Sequence, residues 1–382
     1  VGVIPGGASL AAQGTPASAD AGGPVDLLRT LLLMVPGSFA TGDSGGVLFY
    51  HADLAAQFAA TGVDRSAADW AHGTNLYAVT ASLALVSAGF QYGASPEFAQ
   101  ALGFSPLNVD RALEVGAPPN ALSIYQGGLD RAAMEAAWAA TGFKQVPLDG
   151  GQVLWTLGEK GEIDLSSPIA PFGAGAFNNL LLLDDQTLLV ARMGEVVRAV
   201  AAQARTADRA ASMLGIAGVE SALAALSPSV TSSIGLNSAG LAPGPRPGAP
   251  ATPVPAGRMP AISVAVFGIE AGARGEIATD GSTPVAATPG AHGSSALVEV
   301  RLVTASAADA VAAAKVAASR WETMQSQVTQ QPFSDLMTLV ASGVSPVENT
   351  VAAIDLESGA SPGRWIQLVA MQDLGPFAPG GN

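Results

Sequence analysis

The 382-residue sequence contains no cysteine, which excludes disulfides, thiolate metal sites and a cysteine nucleophile together. Lysine is nearly as scarce: only Lys144, Lys160 and Lys315 occur, and charged residues of all kinds make up 13% of the chain. With 31 acidic against 17 basic residues the net charge is −14. Nucleic-acid binding depends on cationic groups that displace phosphate counterions, so this balance argues against such a partner. The same charge is repelled by anionic lipid headgroups. Long apolar runs are missing as well. The nearest, LLRTLLLMV at 27–35, is interrupted by Arg29 and closed by Pro36, far short of the roughly 20 residues a membrane-crossing helix needs.

Hydrophobic residues nevertheless make up 49% of the chain, most of them Ala, Val and Leu, so a chain of this length can bury a proper core. The most conspicuous stretch is 241–260, LAPGPRPGAPATPVPAGRMP, with seven prolines. Proline fixes φ and removes a backbone donor, so this run can join neither a helix nor a sheet interior, and a semi-rigid polyproline-like spacer is expected. It divides the chain into a flexible tail (1–23), an α+β domain with a helical N-terminal subregion (24–240), the linker (241–260) and a smaller α+β domain (261–382). The tail, VGVIPGGASLAAQGTPASADAGG, has the composition of a tether between a membrane anchor and a folded body, and this predicts an extracytoplasmic, envelope-tethered or secreted protein. An Ala/Gly-rich chain with sparse lysine resembles envelope proteins from high-GC bacteria, a resemblance that implies no activity.

Periodicity and caps predict the elements. An opening helix carries Pro24 near its first turn, and VLFY at 47–50 is a strand. Helices are expected at 53–60, 66–70, 76–86 and 96–102, the last capped by Ser95. A β-α-β-β unit follows: strand 121–126, a helix capped by Asp130 and ended by Gly142, then strands 143–148 and 152–157 around Asp149-Gly150-Gly151. A hairpin over 180–192 turns at Asp184-Asp185-Gln186, and a helix covers 195–204. Beyond the linker, strands are expected at 262–269 and 296–304. Ser306 with Asp309 then opens a long helix, a shorter helix covers 334–341, and strands at 347–356 and 365–371 close the chain. The fold class is α+β: two α/β-sandwich-like parts with largely antiparallel sheets, whose partly recurring order suggests internal duplication. Trp138, Trp155, Trp321 and Trp365 fall one to an element and are expected to anchor cores.

The sharpest motif is GDSGG at 42–46, which resembles the nucleophile loop of the trypsin-like serine proteases. There the glycines let amides approach an oxyanion and a histidine activates the serine. Here no histidine precedes Ser44, although His51 and Asp53 follow it closely; a glycine-rich turn delivering the chain into VLFY explains the string more simply. The three histidines, His51, His72 and His292, have no paired ligand spacing. Glu159, Glu162 and Asp164 could surround calcium only if a loop gathered them, since their spacing is not that of an EF-hand; a turn accounts for them. No phosphate-cradling glycine loop stands between a strand and a helix. No cofactor, metal or catalytic residue is therefore assigned. The expected function is non-catalytic: protein–protein interaction, with another envelope protein or with itself, or service as an accessory subunit of an envelope assembly. The alternative is a hydrolase or small-ligand-binding protein with a site near Ser44, His51 and Asp53.

Overall fold

The computed structural model describes residues 22–41, 46–61, 95–105, 108–173, 175–242, 257–270, 296–358, 368–369 and 371–379. In chain order its elements are α1 (Pro24–Leu33), β1 (Val47–Asp53), α2 (Leu54–Thr61), α3 (Pro96–Leu102), β2 (Arg111–Val115), β3 (Leu122–Gln126), α4 (Arg131–Thr141), β4 (Lys144–Pro147), β5 (Val153–Thr156), β6 (Asn179–Leu182), β7 (Thr187–Ala191), α5 (Gly194–Thr206), α6 (Val219–Ala224), β8 (Val230–Asn237), β9 (Ile262–Glu270), β10 (Ala296–Thr304), α7 (Ala307–Thr323), α8 (Phe333–Leu336), β11 (Met337–Val344) and β12 (Val351–Ser358).

Local chemistry sets many of these limits. The Ser95 hydroxyl accepts from Phe98 N–H, the Asp130 carboxylate from Ala133 N–H, and the Ser306 hydroxyl from Asp309 N–H, each satisfying an amide that the helix leaves unpaired. Gly142 ends α4 at φ 96°, a left-handed conformation that costs a residue without a Cβ least.

Two strands, β2 and β8, lie outside those expected from the sequence. The helix expected over 334–341 is a correction: only Phe333–Leu336 is helical, and the chain then extends into β11. Met337 is buried and Leu339 half-buried while Thr338 and Val340 are exposed, a two-residue period. The long strand β12 takes this segment as its hydrogen-bonding neighbour, and that pairing overrides the local helical spacing. Of the strand expected at 365–371, Leu368 and Val369 are helical, while 365–367 and 370 lie outside the described residues, as do the helices expected at 66–70 and 76–86.

The fold is α+β, built on a twelve-stranded antiparallel sheet ordered β11-β12-β10-β9-β8-β1-β2-β3-β7-β6-β5-β4. The two sequence parts meet within this one sheet, because β8 before the proline stretch pairs with β9 after it, from Val230–Glu270 to Asn237–Val264. The ends of the stretch are fastened too. Leu241 and Met259 are buried, and the Arg320 guanidinium on α7 donates to the carbonyls of Gly257 (3.0 Å) and Ala378 (2.7 Å).

The strand order has a mirrored pattern that no residue-level motif reveals. From the sheet centre outward, β1-β2-β3-β7-β6 on one side mirrors β8-β9-β10-β12-β11 on the other, with β1 and β8 pairing antiparallel at the middle. In each half a helix preceding the first strand (α1 or α6) leads into three strands, a helix (α4 or α7) and a returning hairpin. The first half adds β5 and β4 beyond β6; the second stops at β11.

Helices cover both faces. On one face α1, α5 and α6 pack on strands of both halves, so that Leu28, Leu113, Ile124, Val197, Leu223, Val266 and Val351 share one core. On the other, α3 and α4 cover the first half around Trp138 and Trp155, and α7 and α8 cover the second around Trp321. The Trp138 and Trp321 indoles donate to the carbonyls of Leu102 (2.9 Å) and Met337 (3.0 Å), so these two rings bury their bulk without orphaning a donor. Trp365 lies outside the described residues.

Candidate functional site

Ser44, His72 and His292 fall outside the described residues. His51 and Asp53 project from the same face of β1, two residues apart, opposite Leu113 and Arg111 of β2. Asp53 is fully occupied by the fold: one oxygen accepts from Ala56 N–H (2.9 Å) at the start of α2, and the other pairs with Arg111 at 3.2 Å. Arg111 also donates to the Gln126 side chain at 3.3 Å. His51 is buried, and its Nε2 has no hydrogen-bond partner among the described residues. Burial, reinforced by the Arg111 charge, lowers its pKa to about 3. A neutral imidazole of that basicity takes up a proton poorly at neutral pH, so this line of residues has the character of sheet interior rather than of a base–nucleophile pair.

Two other buried groups escaped the sequence. On the opposite face, Glu114 sits across from Tyr50, with a buried carboxylate oxygen that has no partner among the described residues; burial pushes its pKa up to about 7. The Tyr50 phenol is raised as well, by burial and then by Glu114. In the second half, Arg301 on β10 pairs with Glu299 at 2.6 Å and Asp355 at 2.7 Å and donates to Ala225 O at 2.7 Å, while Ser227 N–H donates to Glu299 at 2.9 Å. This network ties the segment after α6 onto β10 and β12. Neither a lone strand glutamate nor a Glu–x–Arg spacing carries a signal in sequence; only the pairing register brings Asp355 to Arg301 and Glu114 across from Tyr50.

Among the described residues no group of three or more His, Asp and Glu converges as a metal would require. Glu162 accepts from Lys160 N–H and Asp164 from Ser166, each closing its own turn, while Glu159 pairs with Arg198 of α5 at 2.6 Å. No described helix is long and apolar enough to cross a membrane.

The two ends of the sheet differ sharply. At one end β4 is four residues long, with exposed Lys144 and Pro147, both of which discourage further pairing. At the other, β11 runs eight residues, MTLVASGV, without a charge or a proline. Thr338, Val340, Ala341 and Ser342 are exposed, Val340 by 51%, and Val347 just beyond it by 67%. A bulge between Leu339 and Ala341 interrupts the register, after which Ala341–Val344 pairs regularly with Asp355–Ala352 of β12. The segment beyond the bulge is thus as long as β5, Val153–Thr156. In the first half the equivalent strand, β6, is covered by β5 through Trp155–Leu180 and Thr156–Asn179; β11 has no such neighbour among the described strands.

No family model matches the sequence, and no curated protein matches it. Among solved structures, a chain described as "Structure of crystal form I of TP0453" aligns with 90% of this chain over 97% of its own length, at a TM-score of 0.37 and 8% identity.

Proposed function

We propose that this protein acts without catalysis, outside the cytoplasm, by binding a partner protein through strand addition at β11. The observation that carries the reading is the β11 edge, uncovered among the described strands, beside its covered counterpart. Where the first half places β5 against β6, the described strands leave the equivalent strand of the second half open, free of the lysine and proline that close the β4 edge. An exposed edge offers main-chain donors and acceptors that an extended segment can take up, with side-chain contacts supplying specificity.

Charge favours another protein over a second copy. Asp335, Glu348 and Glu357 surround β11 in a chain of net charge −14, so self-pairing would bring like charges together. A partner segment flanked by lysine or arginine fits instead. The tether-like composition of residues 1–23 supports an extracytoplasmic setting.

The test is a crosslinked pull-down from source cells, with membrane and soluble fractions analysed separately, using the natural protein and a Val340→Lys, Ser342→Lys variant. Both substituted side chains are exposed, so folding should be unaffected, which a thermal melt checks. A stoichiometric partner lost in the variant supports the reading; a partner retained equally by both proteins, or none at all, refutes it.

A further inference from the structure

An open groove of about 600 Å³ lies where the β2–β3 turn approaches the first turn of α5 and the 3₁₀ turn after α1. Its volume is in the range that accommodates small ligands and peptide side chains. Phe39, Pro118, Pro119 and Val196 provide apolar wall, and the exposed Asn120 and Glu195 provide polar groups. Phe39 is half-buried, its lower part resting on the core beneath. The Glu195 carboxylate has no ion-pair or side-chain hydrogen-bond partner among the described residues, and the described lining contains no cation. The next cation along α5, Arg198, is already held by Glu159 at 2.6 Å and leaves Glu195 uncompensated. The α5 N-terminus contributes roughly half a positive charge, less than the full negative charge of the carboxylate.

We infer that this groove takes the cationic side chain of an extended peptide, a lysine or an arginine. The ammonium or guanidinium meets the Glu195 carboxylate and the Phe39 ring, whose face attracts a cation. The aliphatic stem lies along Pro118, Pro119 and Val196, as long basic side chains do on apolar surface. Asn120 offers an amide to the peptide backbone. The inference stands independently of strand addition at β11, which uses an edge of the sheet whereas the groove lies at its middle strands.

The test titrates the full chain with acetyl-Gly-Lys-Gly-amide and with the same peptide carrying norleucine in place of lysine, reading transverse relaxation of the peptide resonances by NMR. Saturable binding of the lysine peptide is expected, about fivefold or more tighter than the norleucine peptide. Glu195→Gln should bring the lysine peptide to the norleucine level, and Phe39→Leu should weaken it while keeping apolar volume. Glu322→Gln, which removes another exposed charge, on α7, should change nothing. Non-saturable binding, equal affinity for the two peptides, or equal losses in Glu195→Gln and Glu322→Gln would each overturn the inference, the last by revealing diffuse attraction to an acidic protein. Circular dichroism confirms that each variant is folded.

Discussion

Replacing Arg301 by methionine would probe the charge network that binds the segment after α6 to the sheet. Arg301 is 7% exposed and Glu299 3%, so the substitution leaves a buried carboxylate without its cation and also removes the 2.7 Å bond to Ala225 O. Breaking a buried pair in this way costs about 3–5 kcal/mol. The cost should depend on pH. Burial already pushes the Glu299 pKa up to about 7, against the lowering effect of Arg301 and Ser227 N–H. Because that pKa lies above the ordinary 4.5, the folded protein holds a proton that the unfolded chain has released, and stability falls as pH rises from about 4.5 to about 7. Without Arg301 the pKa rises further. Above pH 7 the variant then holds this proton to higher pH than the natural protein and pays a larger penalty there, about 1.4 kcal/mol for each pH unit of the rise. At pH 5 both proteins are protonated at Glu299 and this additional penalty disappears, leaving the loss of the bonds to Ala225 O and Asp355. Urea unfolding at the two pH values measures this directly, and the double variant Glu299→Gln, Arg301→Met should recover part of the loss at pH 8. A cost that is equal at both pH values, or larger at pH 5, would refute the reasoning.

Three further outcomes follow from the buried groups. Glu114→Gln should raise stability by up to about 3 kcal/mol at pH 8 and leave it unchanged at pH 4, because the raised pKa penalises only the ionised form; differential scanning calorimetry at the two pH values reads it. His51 works in the opposite direction. Its pKa of about 3 means the unfolded chain binds a proton that the folded protein refuses, so stability is lost as pH falls from about 6.5 towards 3, and His51→Gln should flatten that limb of an acid titration followed by circular dichroism. A fluorophosphonate probe should leave Ser44 unlabelled, since His51 is buried and weakly basic and Asp53 is committed to Arg111 and Ala56; stoichiometric labelling would contradict this.

Much of the fold was legible locally because the chain marks its own boundaries. Ser95, Asp130 and Ser306 cap the helices they precede, Gly142 ends one, and Asp184–Gln186 turns the β6–β7 hairpin. What escaped was non-local. The segment β8, VTSSIGLN, places Val230, Ile234 and Leu236 at even spacing, a signal weakened by the two serines and the glycine between them. Gly235 is required there because a Cβ would collide with the Phe49 ring. Missing β8 concealed both the join between the halves and their mirrored strand order. The proline stretch reads as a spacer because nothing local shows that Leu241 and Met259 bury themselves, or that Arg320 grips the carbonyl of Gly257. Of the candidate site, His51 and Asp53 were identifiable as residue types, but their fates depend on register with β2. The open character of β11 arises only from what the rest of the sheet leaves unpaired, and its spacing reads as helix in isolation.

The most direct measurement places a benzophenone amino acid at Val340 and, in a parallel protein, at Lys144 on the closed edge, and irradiates source cells expressing each. Strand addition at β11 predicts one discrete crosslinked partner from position 340 and none from 144. The absence of any product at 340, or the same products from both positions, would contradict it.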